Sequence, residues 1–528
     1  MKTKTILLLP LLLLAVSLAG QQQHVTRVAI EPGEHWWGGA VGLGARMPYE
    51  RLDEYDLATR NNNNQTAPLL LSSKGRYAWS DAPFSFRVDT GIIEIRSRHE
   101  QVPVTRAGKT LRDAYRAAAA AHFPPSGTLP DTLFFTMPQY NTWIELMYDQ
   151  NQRDILAYAR DIIARGFPPG VLMIDDNWQK YYGNFDFKPE RFPDPRAMVD
   201  TLHALGFKVM LWVCPFVSPD SPEYRQLARR GLLLRNERGN APAVISWWNG
   251  HSACLDMTNP DAGAYLTGEL ERARVAHGVD GFKFDAGDNS FYTRVRGHAG
   301  DALPVDHTLA WASVGLAFPF NEYRACWKMG GAPLVQRLGD KNYSWRSGVQ
   351  LLVPEMTAAG LLGHAYTCPD MIGGGQYTSF VGKDLSTLDQ ALFIRSAQVH
   401  ALMPMMQFSV SPWRVLDSDN VEIVRRAALL HRAFGPYILA AARDAARTGE
   451  PIVRHMEYAF PGEGFATCRD QFMLGDKYMI APVVTPGTAR SVKLPRGRWR
   501  DEQGNTYRGG RVVNLDVPLD RLPYFEKL

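Results

Sequence analysis

Four aspartates stand at or just beyond short apolar runs: Asp175, Asp285, Asp340 and Asp370. Several carboxylates around one mouth suit the cleavage of glycosidic bonds. One attacks the anomeric carbon, one protonates the leaving oxygen, and others hold hydroxyls. Clustered aspartates also suit calcium or magnesium. No dense alternating Asp loop is present, however, and no His/Cys ligand spacing, so no metal site and no cofactor are read. For any one of these aspartates taken alone, a helix cap or a structural ion pair is the plainer reading. The richest stretch runs from Gly278 to Asp288, Gly-Val-Asp-Gly-Phe-Lys-Phe-Asp-Ala-Gly-Asp. As a strand it puts Phe282 and Phe284 on one face and Lys283 and Asp285 on the other. With helices on the outer face, the two charges point inward, where burial is costly unless they are paired or used. Gly287 lets the chain turn just beyond Asp285.

The elements that must position these acids read as alternating strands and helices from about residue 130. Strands are expected at Leu133–Thr136, Val171–Ile174, Lys208–Phe216 and around Phe282. Later ones are expected at Leu334–Leu338, His364–Thr367, Leu402–Phe408 and Ile452–Met456. Helices are expected over 154–164, 196–205 and from Pro260 to Ala276, the last with proline in its first turn. Acids at the C-terminal ends of such strands predict a (β/α)8 TIM barrel in the α/β class. Residues 21–125 read as an N-terminal β-sandwich-like domain with one helix at 111–121, and 126–460 as the barrel. Residues 461–528 return to short strands between Pro and Gly, a small all-β C-terminal domain.

Composition agrees with a multidomain globular chain of 528 residues, 45% hydrophobic and 21% charged. A net charge of +4 without a basic run gives no sign of a nucleic-acid partner. No glycine-rich phosphate loop joins a strand to a helix. Residues 1–20 read as a signal peptide: Lys2 and Lys4, an apolar run from Ile6 to Leu18, then Ala19-Gly20. An exported protein, periplasmic or secreted, is expected, with an uncleaved anchor as the alternative. No other stretch is suited to a membrane. The five scattered cysteines, an odd number, do not form a disulfide framework. Asn64-Gln65-Thr66 matches a glycosylation sequon within a low-complexity loop. Trp178, Trp212, Trp247 and Trp248 are candidate sugar platforms, with core packing an equal reading for each.

Several motifs in order resemble glycoside hydrolase family 31, retaining α-glycosidases on a (β/α)8 barrel. Lys283-Phe284-Asp285-Ala286-Gly287-Asp288 is similar to the nucleophile strand, and Leu338-Gly339-Asp340 followed by Trp345 to the acid/base segment. Ile174-Asp175-Asp176 resembles the strand that binds hydroxyls in the −1 subsite, and Cys368 to Gly374 the late loop with another sugar-binding aspartate. Gln471 to Asp476 and Met479 to Val484 resemble the post-barrel signature. The resemblance implies Asp285 as nucleophile and Asp340 as proton donor. It implies Asp175, Asp370 and Arg324 as substrate ligands, with Arg337 a weaker stand-in for Arg324; Lys283 and Trp248 complete the candidate substrate-binding set. Asp288 departs from the family pattern, where a glutamate is usual, and puts its supporting contact in question. Lys283, Ala286-Gly287 and Met403 to Ser409 look more like the branch with the animal myogenesis-regulating glycosidase, which implies α-galactosides. The implied activity is exo-hydrolysis of terminal α-galactosides or α-glucosides. The partner is then a small-molecule or oligosaccharide substrate. A transglycosylase and a non-catalytic carbohydrate-binding homologue are the alternatives; sugar, linkage and oligomeric state stay open. In this mechanism Asp285 is ionised, helped by Lys283, and Asp340 protonated, which calls for less polar or more negative surroundings.

Overall fold

The computed structural model describes residues 23–59 and 65–528. The expected signal peptide and the sequon's Asn64 lie outside the described residues. Eight parallel strands form the centre: β1 (Gln139–Asn141), β2 (Val171–Ile174), β3 (Lys208–Val213), β4 (Gly281–Phe284), β5 (Phe320–Tyr323), β6 (Gln336–Arg337), β7 (Thr367–Cys368) and β8 (Gln407–Phe408). Each pairs with its successor as far as β7, and β8 pairs with β1. The seam between β7 and β8 holds one parallel bridge, Met371 to Gln407. The barrel is therefore nearly closed, with its helices outside.

Local chemistry explains the helices. Asn151 caps Gln152–Ala164 by accepting the Asp154 N–H at 2.9 Å. Ile155, Ala159 and Ile162 form the buried stripe, whereas Ile163 turns outward. Pro260–His277 starts at the Asn259 cap and stops at Gly278, which takes a left-handed φ of 77°. No helix follows β5. In its place Cys326–Trp327 adds to the N-terminal sheet, pairing in parallel with Gln65 and Thr66. The N-terminal region has two sheets, one built on Gln65–Ser72 and one ordered 24–29, 92–97, 85–89, 54–56. At the other end, a six-stranded sheet and a two-stranded ribbon enclose a core around Trp499 and Phe525.

Three strand expectations need correction. Leu133–Thr136 is one helical turn, with Phe134 packed on Phe320 and Phe135 on Tyr366. The first barrel strand comes later, at the polar Gln139-Tyr140-Asn141. Phe320–Tyr323 is a barrel strand that was not expected. Val453–Arg454 pairs antiparallel with Phe472–Leu474 and belongs to the C-terminal sheet. All five cysteines are free thiols, and four are buried. Among the described residues no helix is long and apolar enough to cross a membrane.

Candidate active site

The alternation in β4 sets the first half of the site. Phe282 and Phe284 pack outward, Phe282 against Phe318 at 5.0 Å and Phe284 stacked on Tyr323 at 4.5 Å. Lys283 therefore turns into the barrel. Its Nζ lies 2.6 Å from Asp175 Oδ2, and both side chains are buried. The inward charge of β4 is thus neutralised by the acid at the end of β2, across β3. Asp285 is the first residue beyond β4, and its N–H donates to Val213 O at 2.8 Å. Its Oδ2 accepts from the Trp212 indole at 2.8 Å and its Oδ1 from the Ala286 N–H at 2.9 Å. Ala286 and Gly287 both have positive φ, and a Cβ on Gly287 would fall 2.2 Å from the Trp311 ring. Only glycine allows that turn against Trp311. Burial pushes the Asp285 carboxyl up, but Arg324, then Lys283 and Arg337, outweigh it and hold the group below the usual carboxylate range.

The second half comes from the ends of β5, β6 and β7. Arg324 Nη1 lies 3.8 Å from Asp285 Oδ1 and 3.9 Å from Asp340 Oδ2, and its guanidinium sits 4.9 Å from the Trp248 ring centre. Its Nε approaches Asp288 Oδ2 at 3.3 Å. Asp288 is fully buried and, among the described residues, receives no hydrogen bond on either oxygen. The shorter acid thus retains charge contact with Arg324 without an aligned hydrogen bond, and burial raises its pKa. Arg337, the last residue of β6, donates from Nη1 to Asp340 Oδ1 at 2.6 Å and to Asp370 Oδ1 at 2.8 Å. Burial pushes Asp340 up, yet Arg337 and then Arg324 hold it well below the ordinary carboxylate range. Asp340 does not have the expected low-polarity or negative surroundings: two guanidinium groups face it.

A cavity of about 660 Å³ lies over these strand ends. Asp175, Lys283, Asp285, Arg324, Asp340 and Trp248 all line it, and so does Arg337. Asp370 does not. It is fully buried with φ 75°, and its Oδ2 is occupied by the N–H groups of Lys341 (2.8 Å) and Gly375 (3.0 Å). Of the four tryptophans, Trp212 and Trp248 reach the cavity. Trp178 is buried and donates to Trp212 O, and Trp247 packs on Phe216. Sequence reasoning gave no role to Asp176, although it stands beside Asp175. It lines the cavity, accepting from Asn249 Nδ2 at 2.6 Å and Tyr182 OH at 3.1 Å. Burial and the neighbouring Asp175 charge push it up to about 7. Asn249 follows Trp248 in a hairpin between β3 and its helix, and also accepts from Tyr148 OH at 2.7 Å. Nothing local in the sequence marks that long-range contact. Trp143, Tyr148 and Tyr377 form an aromatic wall, with centroids 5.3–5.8 Å apart. Below, Gln407 donates to Glu322 at 2.7 Å and to Gln139 at 2.9 Å, so side chains fill the barrel and give the cavity a floor.

Comparison with known proteins agrees with this architecture. Residues 135–441 match the glycosyl hydrolases family 31 TIM-barrel domain, and residues 449–527 that family's C-terminal domain. The myogenesis-regulating glycosidase of Mus musculus is 32% identical over 432 residues, 79% of this chain and 60% of that protein. A 1,3-alpha-isomaltosidase of Kribbella flavida is 28% identical over 383 residues, 65% of this chain and 51% of that protein. The chain thus spans between half and three-fifths of these relatives. A Flavobacterium johnsoniae GH31 dextranase complexed with glucose shares the fold at a TM-score of 0.83 and 19% identity, over 96% of this chain and 66% of that one. A GH31 alpha-xylosidase from a soil metagenome complexed with xylose does so at 0.84 and 22%, over 96% and 79%. With a family model matching more than half of its length, on a barrel that carries its acids at the C-terminal strand ends, the chain belongs to glycoside hydrolase family 31.

Proposed function

We propose that the chain is an exo-acting retaining α-glycosidase that hydrolyses terminal α-linked sugars, α-galactosides or α-glucosides, by double displacement. One observation carries the reading: Asp285 and Asp340 open into the same cavity, each within 4 Å of the same nitrogen of Arg324. That shared contact rules out a separation of about 9 Å between the nearest oxygens, the wide end of inverting enzymes. Asp285, oriented by Trp212 and Ala286, attacks the anomeric carbon. Asp340 gives its proton to the glycosidic oxygen as that bond breaks. Asp340 then takes a proton from water, which attacks the same carbon and frees the sugar with its α configuration. Asp175, Arg324 and Trp248 line the pocket where hydroxyls and ring faces would be held. Lys283 acts by keeping Asp175 in place, and Asp370 by keeping Arg337 in place.

A panel of nitrophenyl α-galactoside, α-glucoside, α-xyloside and α-N-acetylgalactosaminide tests the activity, with NMR of the first product formed. The reading expects cleavage of the galactoside or glucoside and the α anomer first. A β anomer first, or binding without turnover on every member, would defeat it. We also infer export, on the strength of Lys2, Lys4 and the apolar run to Leu18. Mature protein recovered from the medium or periplasm and starting near Gln21 is the expected result; intact chain in the cytoplasm would contradict it.

A further inference from the structure

The double-displacement reading leaves Arg337 without a chemical role, although its guanidinium is the most heavily engaged cation at the site. It is almost wholly buried and faces three acids. Asp340 and Asp370 share its Nη1, and Glu322 Oε1 lies 3.5 Å from its Nε. Of the three acids, only Asp340 lines the cavity. Each strand end around Asp340 contributes charge. Arg324 stands at 3.9 Å beyond β5, Lys283 acts on it from β4 and Asp285 from just beyond β4, and Asp370 from the loop after β7. A buried guanidinium stays charged at every accessible pH. Asp340 therefore meets a fixed cation at hydrogen-bond distance before any substrate arrives.

The first chemical step needs the opposite state of Asp340. Its O–H must give a proton to the glycosidic oxygen while the bond from that oxygen to the anomeric carbon breaks. The electron pair leaves with the oxygen, and a bond forms from Asp285 to the carbon. We propose that Arg337 is a positioning residue that makes Asp340 a reluctant proton holder, confining the cleavage of glycosides with poor leaving groups to acidic pH. This rests on the roles of Asp285 and Asp340 given above. The same clamp favours the second step, in which the ionised Asp340 takes a proton from water. Activated leaving groups, which depart without a proton, escape the restriction.

The dependence of kcat/KM on pH reports the free enzyme's acid and base and so tests the proposal. It would be measured for the wild type, Arg337→Met and Asp370→Asn, on a methyl α-glycoside and on the matching α-glycosyl fluoride. Removing the Arg337 cation lets Asp340 keep its proton to higher pH, so the falling alkaline limb on the methyl glycoside moves up by about 1–3 pH units. Asp370→Asn removes the acid that competes for the same Nη1 and a neighbouring negative charge, so the limb moves down. On the fluoride that limb is absent in all three proteins. Opposite shifts from two buried substitutions are not produced by a packing role. An unmoved limb in either folded variant, or the same limb on the fluoride, would overturn the proposal. Should Arg337→Met fail to fold, Asp370→Asn decides alone. Full activity in Asp285→Ala would instead refute the catalytic reading on which this stands, and the two failures are thereby told apart.

Discussion

Asp285, beyond β4, and Asp340, beyond β6, share a cavity and a neighbour, Arg324, but they are held by different kinds of force. Asp285 takes its two hydrogen bonds from neutral donors, an indole and a backbone N–H. These fix the direction of the carboxylate without adding charge of their own, and the nearest counter-charge, Arg324, stands off at 3.8 Å. Lys283, the nearest cation by sequence, is committed to Asp175. Asp340 is held instead by a single charged nitrogen, Nη1 of Arg337, at 2.6 Å. The contrast separates two requirements. A nucleophile must be ionised and aimed, whereas a proton donor must have its proton affinity set, and a fixed charge is the tool for that.

The largest expected effect that would sharpen this contrast is on the β4 side. Asp285→Ala should lower kcat by roughly 10⁵-fold, with an unchanged melting temperature, because the covalent route is lost. Azide added to this variant should yield the β-glycosyl azide, since azide then attacks from the face that Asp285 has vacated. Asp340→Ala should cost about 10²–10⁴-fold on a poor leaving group and much less on an α-glycosyl fluoride. In that variant azide should yield the α-glycosyl azide. Interchanged azide products, read by NMR, would exchange the two roles and break the comparison. Lys283→Met removes one partner of a buried ion pair and should destabilise the fold by about 3–5 kcal/mol in denaturant titration. A loss under about 1 kcal/mol, typical of exposed pairs, would mean that Lys283 is not tied to Asp175 in solution. The smallest effect is expected for Trp212→Phe, which deletes the neutral donor to Asp285. A hydrogen bond to a charged group is worth about 1.5–3 kcal/mol, so kcat should fall roughly 10- to 100-fold with little change in KM. No change in kcat would show that the indole does not aim the carboxylate.

How much of this was legible in the sequence follows from what each residue depends on. The continuous apolar strands β2 and β3, and the alternating β4, announce themselves, because their side chains must fill a core. β1 and β5 do not, because Gln139, Asn141 and Glu322 each meet Gln407 inside the barrel, where hydrogen bonds replace apolar contacts. Phe134 and Phe135 have a strand's apolar character and Gln139 to Asn141 do not, yet both segments are buried and only the polar one is a strand. Asp175, Asp285 and Asp340 could be placed at the strand ends from spacing alone. Asp370 could be placed in its loop, but its left-handed backbone and the two N–H groups that claim Oδ2 are matters of geometry. The cationic surroundings of Asp340 were misjudged because Arg324 and Arg337 converge on it from adjacent strands, and only the register of β5 against β6 brings them there.

Trapping of the covalent intermediate tests the central claim most directly. The protein would be incubated with a 5-fluoro-α-glycosyl fluoride of the sugar it cleaves best, digested, and its peptides weighed by mass spectrometry. A single glycosyl adduct on the peptide that carries Asp285, absent from Asp285→Ala, is the predicted result. An adduct on Asp340, or steady turnover of the reagent with release of the β sugar and no adduct, would contradict the account.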